Sequence, residues 1–339
     1  MTDQVAVCIV TYDSAPDLPV CLAAAAAQDH RPLELVIVDC ASADDSAAVA
    51  RAAATAGVPR KVIALSENLG FAGGMNRAFD ETGAPYLLTL NADARPRPDY
   101  VRRLLAHGRR DGVGAVTGRL VRPATGGERR LDACGMVLRR TWRHLDRGSG
   151  EVDRGQWDRA ERVFGATGAA SLWTRAAVDD VRLDGEVFDL DFHSFREDAE
   201  LAFRLRERGW EVIYEPRAVA EHRRRVLPAR RRQLPARINY HSLKNRYLLR
   251  AYHQTWGNFL RTLVPALGRD LLAFGYVLLA ERSSLAAYGW LWRHRREILA
   301  RRRRIQKRRR VPPAEIDRWF SHPSLPLEPG IQGLGSAPD

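Results

Sequence analysis

Tyr86-Leu87-Leu88-Thr89-Leu90-Asn91-Ala92-Asp93 is the stretch on which the fold of this chain turns. An apolar run stops at a polar residue and a carboxylate. Short apolar runs bounded in this way read as buried strands of an α/β sheet. Ligands of such sheets bind beyond the carboxyl ends of the strands. An Asp placed there can reach a hard divalent cation, which takes oxygen ligands and keeps phosphate as a partner.

Working outward, Val5 to Thr11 reads as a first strand and the Ala-rich Leu18 to Gln28 as a helix. Leu35-Val36-Ile37-Val38-Asp39 is a second buried strand that also ends in a carboxylate. Ser42 to Thr55 reads as a helix with capping residues at its start. Val62 to Leu65 reads as a third strand and Gly73 to Thr82 as a short helix. This alternation predicts an α/β fold, a mixed, mostly parallel sheet flanked by helices. Farther on, Ala169 to Trp173 and Glu211 to Tyr214 read as strands. Between them Asp198 to Leu205 carries apolar residues at helical spacing and closes on Gly209. His222 follows the last of these strands.

The 339 residues, 45% hydrophobic and 28% charged, suit a globular chain with a substantial core. Four scattered cysteines without a CxxC pair suggest neither a zinc site nor a disulfide framework, and so a reducing compartment. The N-terminus enters a strand pattern at once, so no signal peptide is expected. Charge divides the chain: Glu221 to Arg310 holds 24 Arg and Lys against 4 Asp and Glu, +20 in a chain of net +13. A mildly acidic front, residues 1–225, therefore precedes a basic helical extension, 226–310, and a Pro/Gly-rich tail, 311–339, expected to be loosely ordered.

Asp39 and Asp93, both at strand ends, are expected to face one crevice. The loop from Asn68 through Gly70, Gly73 and Asn76 to Arg77 follows a strand and opens a helix. Its glycines would let backbone N–H groups approach a phosphate, and Arg77 would add a bidentate contact. It does not match GxGxxG, which leaves a dinucleotide fold with little support. Glu197-Asp198 sits at the start of a helix, where Asp198 is a natural N-cap; at the mouth of the crevice it could instead act as a general base. His222, beside Arg223-Arg224-Arg225, could serve as a ligand to metal or phosphate.

Thr11-Tyr12-Asp13, Val38-Asp39-Cys40-Ala41-Ser42, Glu67 through Arg77, Leu90-Asn91-Ala92-Asp93, Glu197-Asp198 and His222 occur in that order. The set resembles the family-2 glycosyltransferases of the GT-A fold, particularly their rhamnosyltransferase-like branch, over about residues 5–225. The resemblance implies inverting transfer from a nucleotide-diphosphate sugar, dTDP-rhamnose first and UDP-sugars next, to an acceptor hydroxyl. It implies that Asp39 holds the base and that Thr11 and Asp13 lie in the first nucleotide-binding loop. Asn68 through Arg77 would line the nucleotide and pyrophosphate, with Asn91 beside them. Asp93, where the family's DxD ends, and His222 would hold Mg²⁺ or Mn²⁺, and Asp198 would be the catalytic base beside Glu197. Three positions depart from the family: Asn91 opens the DxD, Cys40 stands where Asn is common, and Glu200 where Asp is frequent.

Ile238 to Arg310 reads as helical. Its most apolar piece, Leu271 to Ala280, is ten residues, short of the ~20 a spanning helix needs. Trp290, Leu291 and Trp292 among many arginines suit a helix lying on an anionic membrane surface. That predicts a cytoplasmic protein held peripherally at the inner face of a membrane, with a glycan or lipid-linked saccharide as acceptor. A nucleic-acid-binding protein is the competing reading of the basic part, but no helix-turn-helix, RRM, KH or zinc-finger pattern supports specific recognition. A nucleotidyltransferase or a non-catalytic sugar-nucleotide binder would use similar acidic groups; the first is separated by product analysis.

Overall fold

Strands β1 (Val5–Thr11), β2 (Leu33–Asp39), β3 (Arg60–Ala64) and β4 (Tyr86–Asn91) alternate with helices α1 (Leu18–Ala26), α2 (Ser46–Ala52) and α3 (Gly70–Asp80). Successive strand side chains point to opposite faces. Val5, Val7 and Ile9 accordingly pack with Leu35, Ile37, Leu88 and Leu90 against Leu18 and Leu22 of α1. The intervening Ala6 and Cys8 pack with Val36, Val38 and Leu87 against Met75 and Phe79 of α3. Both faces are covered, which is why these strands read as continuous apolar runs. All four cysteines are buried and unpaired.

The computed structural model describes residues 3–124, 127–224 and 233–327. Past β4 come β5 (Ala94–Pro96), α4 (Tyr100–Gly108), β6 (Val113–Val121), β7 (Leu131–Ala133) and the hairpin of β8 (Met136–Arg139) and β9 (Arg143–Asp146). Next come β10 (Glu161–Val163), β11 (Ala170–Thr174), α5 (Arg175–Val181), α6 (Glu197–Glu207) and β12 (Glu211–His222). The main sheet runs β10-β12-β6-β11-β4-β1-β2-β3, with β11 antiparallel to both neighbours, so it is mixed and mostly parallel, as expected. The end of the last strand differs from the sequence reading. Pro216 does not end the last strand: the pairing of β12 with β6 slips between Glu215 and Val219 and then resumes, as a bulge allows. His222 is therefore the final residue of β12 and not a residue beyond it.

Helices α7 (Ala236–His253), α8 (Trp256–Ala280), α9 (Leu285–Arg293) and α10 (Arg295–Lys307) fill the basic region. The predicted boundary near 225 falls in residues 225–232, outside the described residues, as does Arg225. The ten-residue limit placed on the apolar piece is corrected. Helix α8 runs unbroken for 25 residues through Pro265 and Asp270, and is long and apolar enough to cross a membrane by length and composition. The loose tail is corrected for residues 311–327. There α11 (Pro313–Asp317) and β13 (Ser324–Leu325) form, β13 pairs with β10, and Ile316, Trp319 and Phe320 are buried. Three apolar side chains among prolines suffice to dock the segment. Residues 328–339 lie outside the described residues.

Candidate active site

Register brings the predicted strand ends together. Parallel pairing sets Thr11 beside Asp39 and Val10 beside Asn91, so Asp39 and Asn91 lie two strands apart on one edge, about 10 Å by strand spacing. Asp39 accepts from the Ser42 amide (3.1 Å) and hydroxyl, and the Ser42 hydroxyl accepts from the Asp13 amide (3.0 Å). Asp13, at φ 47°, accepts in turn from Ala43 N (2.8 Å). Thr11, almost fully buried, has an Oγ1 with no hydrogen-bond partner among the described residues.

On the other side of β1 the chain turns through Ala92 and Asp93 into β5, which pairs with β12 so that His222 lies opposite Ala94. His222 Nε2 lies 3.3 Å from Asp93 Oδ1 and 3.4 Å from the Asn91 amide nitrogen. Its Nδ1 lies 2.7 Å from Asp132 Oδ2. Burial of His222 disfavours the charged ring, but the bonds to Asp132 and Asp93 outweigh it and raise the pKa to about 9. Burial opposes ionisation of Asp132 too, yet the bond to His222 and the charge of Arg224 hold it down at about 2. Among the described residues no cluster of three or more His, Cys, Asp and Glu is arranged around one metal position. Asp132 sits on the far ring nitrogen, so Asp93 and His222 Nε2, once a cation displaces the proton that Nε2 carries, are the two donors that converge. Two such donors fit a divalent cation that takes its remaining oxygens from a diphosphate and water.

Residue Asn91 N donates to Ala169 O (2.8 Å), and the neighbouring Gly168 N donates to Asp198 Oδ2 (3.0 Å). One residue of β11's lead-in thus separates Asp198 from the end of β4. The N-cap expectation for Asp198 is corrected: α6 starts at Glu197, with Arg196 (φ 72°) as its N-cap. Asp198 is partly exposed; burial, with Asp146 adding its charge, lifts it to about 6 despite the Gly168 N–H. Glu197 is buried, its Oε2 without a hydrogen-bond partner among the described residues, and burial plus the charge of Asp198 push it well above the usual carboxylate range. Of the acidic pair, Asp198 keeps the accessible edge. The segment before it is strained, with His193 (φ 57°), Phe195 (φ 71°) and Arg196 all left-handed, which costs ~1–2 kcal/mol each. The Asn245 amide of α7 holds it, donating to the carbonyls of Phe192 (2.8 Å), Ser194 (2.9 Å) and Phe195 (2.7 Å).

The glycine loop does a different job from the one expected. Gly70 N donates to Asn68 Oδ1 (2.8 Å), Phe71 N to Ser194 Oγ (3.2 Å) and Ala72 N to His193 O (3.0 Å). The first-turn donors of α3 are spent inside the protein, which corrects the phosphate-cradle reading. Gly70 has φ 69°, and a Cβ there would sit 2.4 Å from the His193 carbonyl oxygen; at Gly73 it would sit 2.5 Å from Leu69 Cβ. Asn76 donates to Phe188 O and accepts from Val187 N and Phe188 N, so a nucleotide contact from it would require those bonds to break. Arg77 is exposed on the outer face of α3, paired with Glu81 at 2.5 Å. The loop braces the segment before Asp198.

Two family profiles match the chain: Glycosyl transferase family 2 over residues 6–163, and Glycosyl transferase family group 2 over residues 86–293. The second spans more than half of the sequence. The chain belongs to the family-2 glycosyltransferases. No curated protein matches it. Among solved structures, this glycosyltransferase is similar to the mannosyltransferase PcManGT from Pyrobaculum calidifontis in complex with GDP-Man and Mn²⁺. Identity there is 18%, coverage 94% of this chain and 86% of that one, and the TM-score 0.54. It is similar to GalNAc-T7 with UDP, GalNAc and Mn²⁺ at 12% identity, 74% and 48% coverage and a TM-score of 0.56. It is also similar to S. aureus TarS 1-349 in complex with UDP, at 14% identity, 82% and 75% coverage and a TM-score of 0.51. At identities this low the likeness is one of fold alone, the GT-A fold.

Three site residues of this glycosyltransferase escape a reading of the sequence. Asp132 lies in a three-residue strand after two arginines, and nothing local says that it faces a histidine 90 positions away. Arg224 bonds both Asp132 (3.1 Å) and Asp146 (2.5 Å), linking the histidine side to the carboxylate side. Asn245 is one polar residue on a helix of polar residues. It falls on the buried face of α7, and nothing local in the sequence marks it out.

Proposed function

We propose that this glycosyltransferase transfers a hexose, rhamnose first among the candidates, from a nucleotide-diphosphate sugar to an acceptor hydroxyl of a cell-envelope glycan or lipid-linked saccharide, with inversion. The observation that carries the reading is the placement of Asp198, accessible and raised to about 6, one residue of backbone away from the end of β4, where Asp93 meets His222. A carboxylate with such a pKa is ionised at neutral pH and still basic enough to accept a hydroxyl proton. As the acceptor oxygen bonds to the anomeric carbon, its proton passes to Asp198, the bond to the diphosphate breaks on the opposite face, and the nucleoside diphosphate departs. Asp93 and His222 would hold a divalent cation, Mg²⁺ or Mn²⁺, which when bound neutralises charge on the leaving diphosphate. Thr11, Asp13 and Asp39 would receive the nucleotide, and the unpartnered Thr11 hydroxyl suits a ligand that supplies a bond.

Thermal-shift titration with dTDP-rhamnose, UDP-sugars and GDP-sugars, with and without Mn²⁺, tests the donor side, because a ligand bound to the folded state raises its midpoint. One donor should stabilise the protein, more so with Mn²⁺. Product analysis with that donor then tests transfer, and formation of diphosphate-sugar from sugar phosphate and nucleoside triphosphate would identify a nucleotidyltransferase instead. The stereochemistry of the product tests inversion.

A further inference from the structure

The outer face of α8 is apolar from end to end. Leu260, Val264, Leu267, Leu271, Phe274 and Leu278 recur at steps of four, three, four, three and four, and all are exposed. Trp256 extends the stripe at one end, Leu272 and Leu279 widen it, and Arg282 continues its spacing past the other end. At 1.5 Å per residue the helix is about 37 Å long. Val264 is 80%, Leu272 70% and Leu279 86% exposed, which is more apolar surface than a solvated helix leaves open.

The opposite face is bound to the body of the protein. Asn258, Thr262, Ala266, Ala273 and Val277 are buried. Trp142 Nε1 donates to Thr262 Oγ1 (3.2 Å), Asn258 Nδ2 donates to Asp317 Oδ1 (2.9 Å), and Asp270 accepts from Arg246 and Arg250 at 2.7 Å each. A helix crossing a bilayer would have to leave all of these partners. The surroundings are basic: residues 256–304 hold ten arginines against three carboxylates. Of those three, Glu281 is buried and Asp270 is held by its two arginines. Arg282, Arg293, Arg295, Arg296 and Arg303 are exposed, and Arg295 lies 4.5 Å over the ring of the exposed Trp292.

We propose that this face of α8 docks on an anionic lipid bilayer, lying in the plane of its headgroup and acyl boundary while the arginines meet the lipid phosphates. An apolar stripe flanked by arginine and tryptophan is what such a surface binds. Two copies of the chain joined through the same stripe would instead bring two basic clusters together, which the charge opposes. The proposal stands on this surface and does not depend on the reading of the active site.

Flotation of the purified full chain with vesicles tests it. The protein should float with mixed phosphatidylcholine–phosphatidylglycerol vesicles, weakly with phosphatidylcholine alone, and less as salt rises. The triple substitution Val264→Glu, Leu272→Glu, Leu279→Glu should lower partitioning by about tenfold or more per residue, with the thermal midpoint and the donor-induced shift retained. Three results would overturn the proposal: no flotation with either vesicle; a dimer by light scattering that the triple variant splits, making the face a self-association surface; or membrane-bound protein that resists alkaline carbonate, making α8 a span.

Discussion

In the proposed mechanism Asp198 is a single position whose chemistry its residue type alone does not announce. Its carboxyl is raised to about 6, chiefly by burial, so the base form is lost as pH falls through 6, and not through the ordinary carboxylate value. The acid limb of kcat/KM, followed by initial rates across pH, should therefore have its midpoint near 6. The sign for stability is opposite to that of a paired carboxylate: with a folded-state pKa above the unfolded one, the contribution is full below the ordinary carboxylate value of ~3.9 and is lost as pH rises from there through about 6. Asp198→Asn should accordingly lower turnover by ~10²–10⁴-fold while leaving the donor-induced thermal shift in place and the unfolding midpoint at neutral pH unchanged or higher. Asp132 acts one step removed from the reacting atoms. It holds Nδ1 of His222 and so aims Nε2 at Asp93. Replacing such an outer carboxylate weakens a metal site by ~10–100-fold. Calorimetric titration of Asp132→Asn with Mn²⁺ in the presence of donor should show that loss, whereas a purely structural role would move the midpoint and leave the affinity alone.

Helix α3 and α7 together set the segment on which Asp198 depends. Gly70 at the start of α3 is left-handed, and a Cβ there would sit 2.4 Å from both the backbone carbonyl oxygen and the ring Nδ1 of His193; the ring could turn aside but the carbonyl could not. Gly70→Ala should cost ~1–2 kcal/mol in backbone strain and a further ~1–3 kcal/mol from overpacking. Urea unfolding would measure the sum, and turnover should fall with it because the 193–196 segment must shift. A loop that merely cradled phosphate would lose donor affinity first. The same elements mark what could be seen in the sequence. Strand ends at Asp39 and at Asn91 to Asp93 were legible because unbroken apolar runs point at them, and the acidic pair at 197–198 because it opens a helix of clear period. Glycines at 70 and 73 announced a close approach, but the chain itself does not name what approaches: at Gly70 it is His193, a segment about 120 positions away, and at Gly73 it is Leu69 of the same loop. Strand β6, buried along its whole length, was missed because Gly114, Thr117, Gly118 and Arg119 interrupt its apolar pattern. Its buried Arg119 is explained by partners remote in sequence: the carboxylates of Asp153 and Asp158, the Trp157 carbonyl and the Tyr214 hydroxyl.

The whole molecule is joined by a core that no local pattern predicts. Phe164 and Phe203 from the catalytic body pack with Leu248 and Tyr252 of α7, Ile298 and Ile305 of α10, and Trp319 and Phe320 after α11. Glu200, one of the three departures from the family pattern, is fully buried there, bonded to Arg204 of its own helix and 3.5 Å from His253 of α7. Residues past 310, polar and proline-rich on average, thus help to carry the helices that brace the Asp198 segment. Trp319 tests this most directly. Its ring meets Phe164 edge-on at 6.4 Å and lies 4.5 Å beneath the guanidinium of Arg206, which is itself buried. Truncating a buried Trp costs ~3–5 kcal/mol, much of the ~5–15 kcal/mol that keeps a domain folded. Trp319→Ala should therefore shift urea unfolding strongly and lower the activity that survives at assay temperature. His322→Ala, three residues on and exposed, should change stability by no more than ~0.5 kcal/mol. If the two variants unfolded alike, the segment past α10 would not be docked, and the support that α7 and α10 lend to Asp198 would have to come from those helices alone.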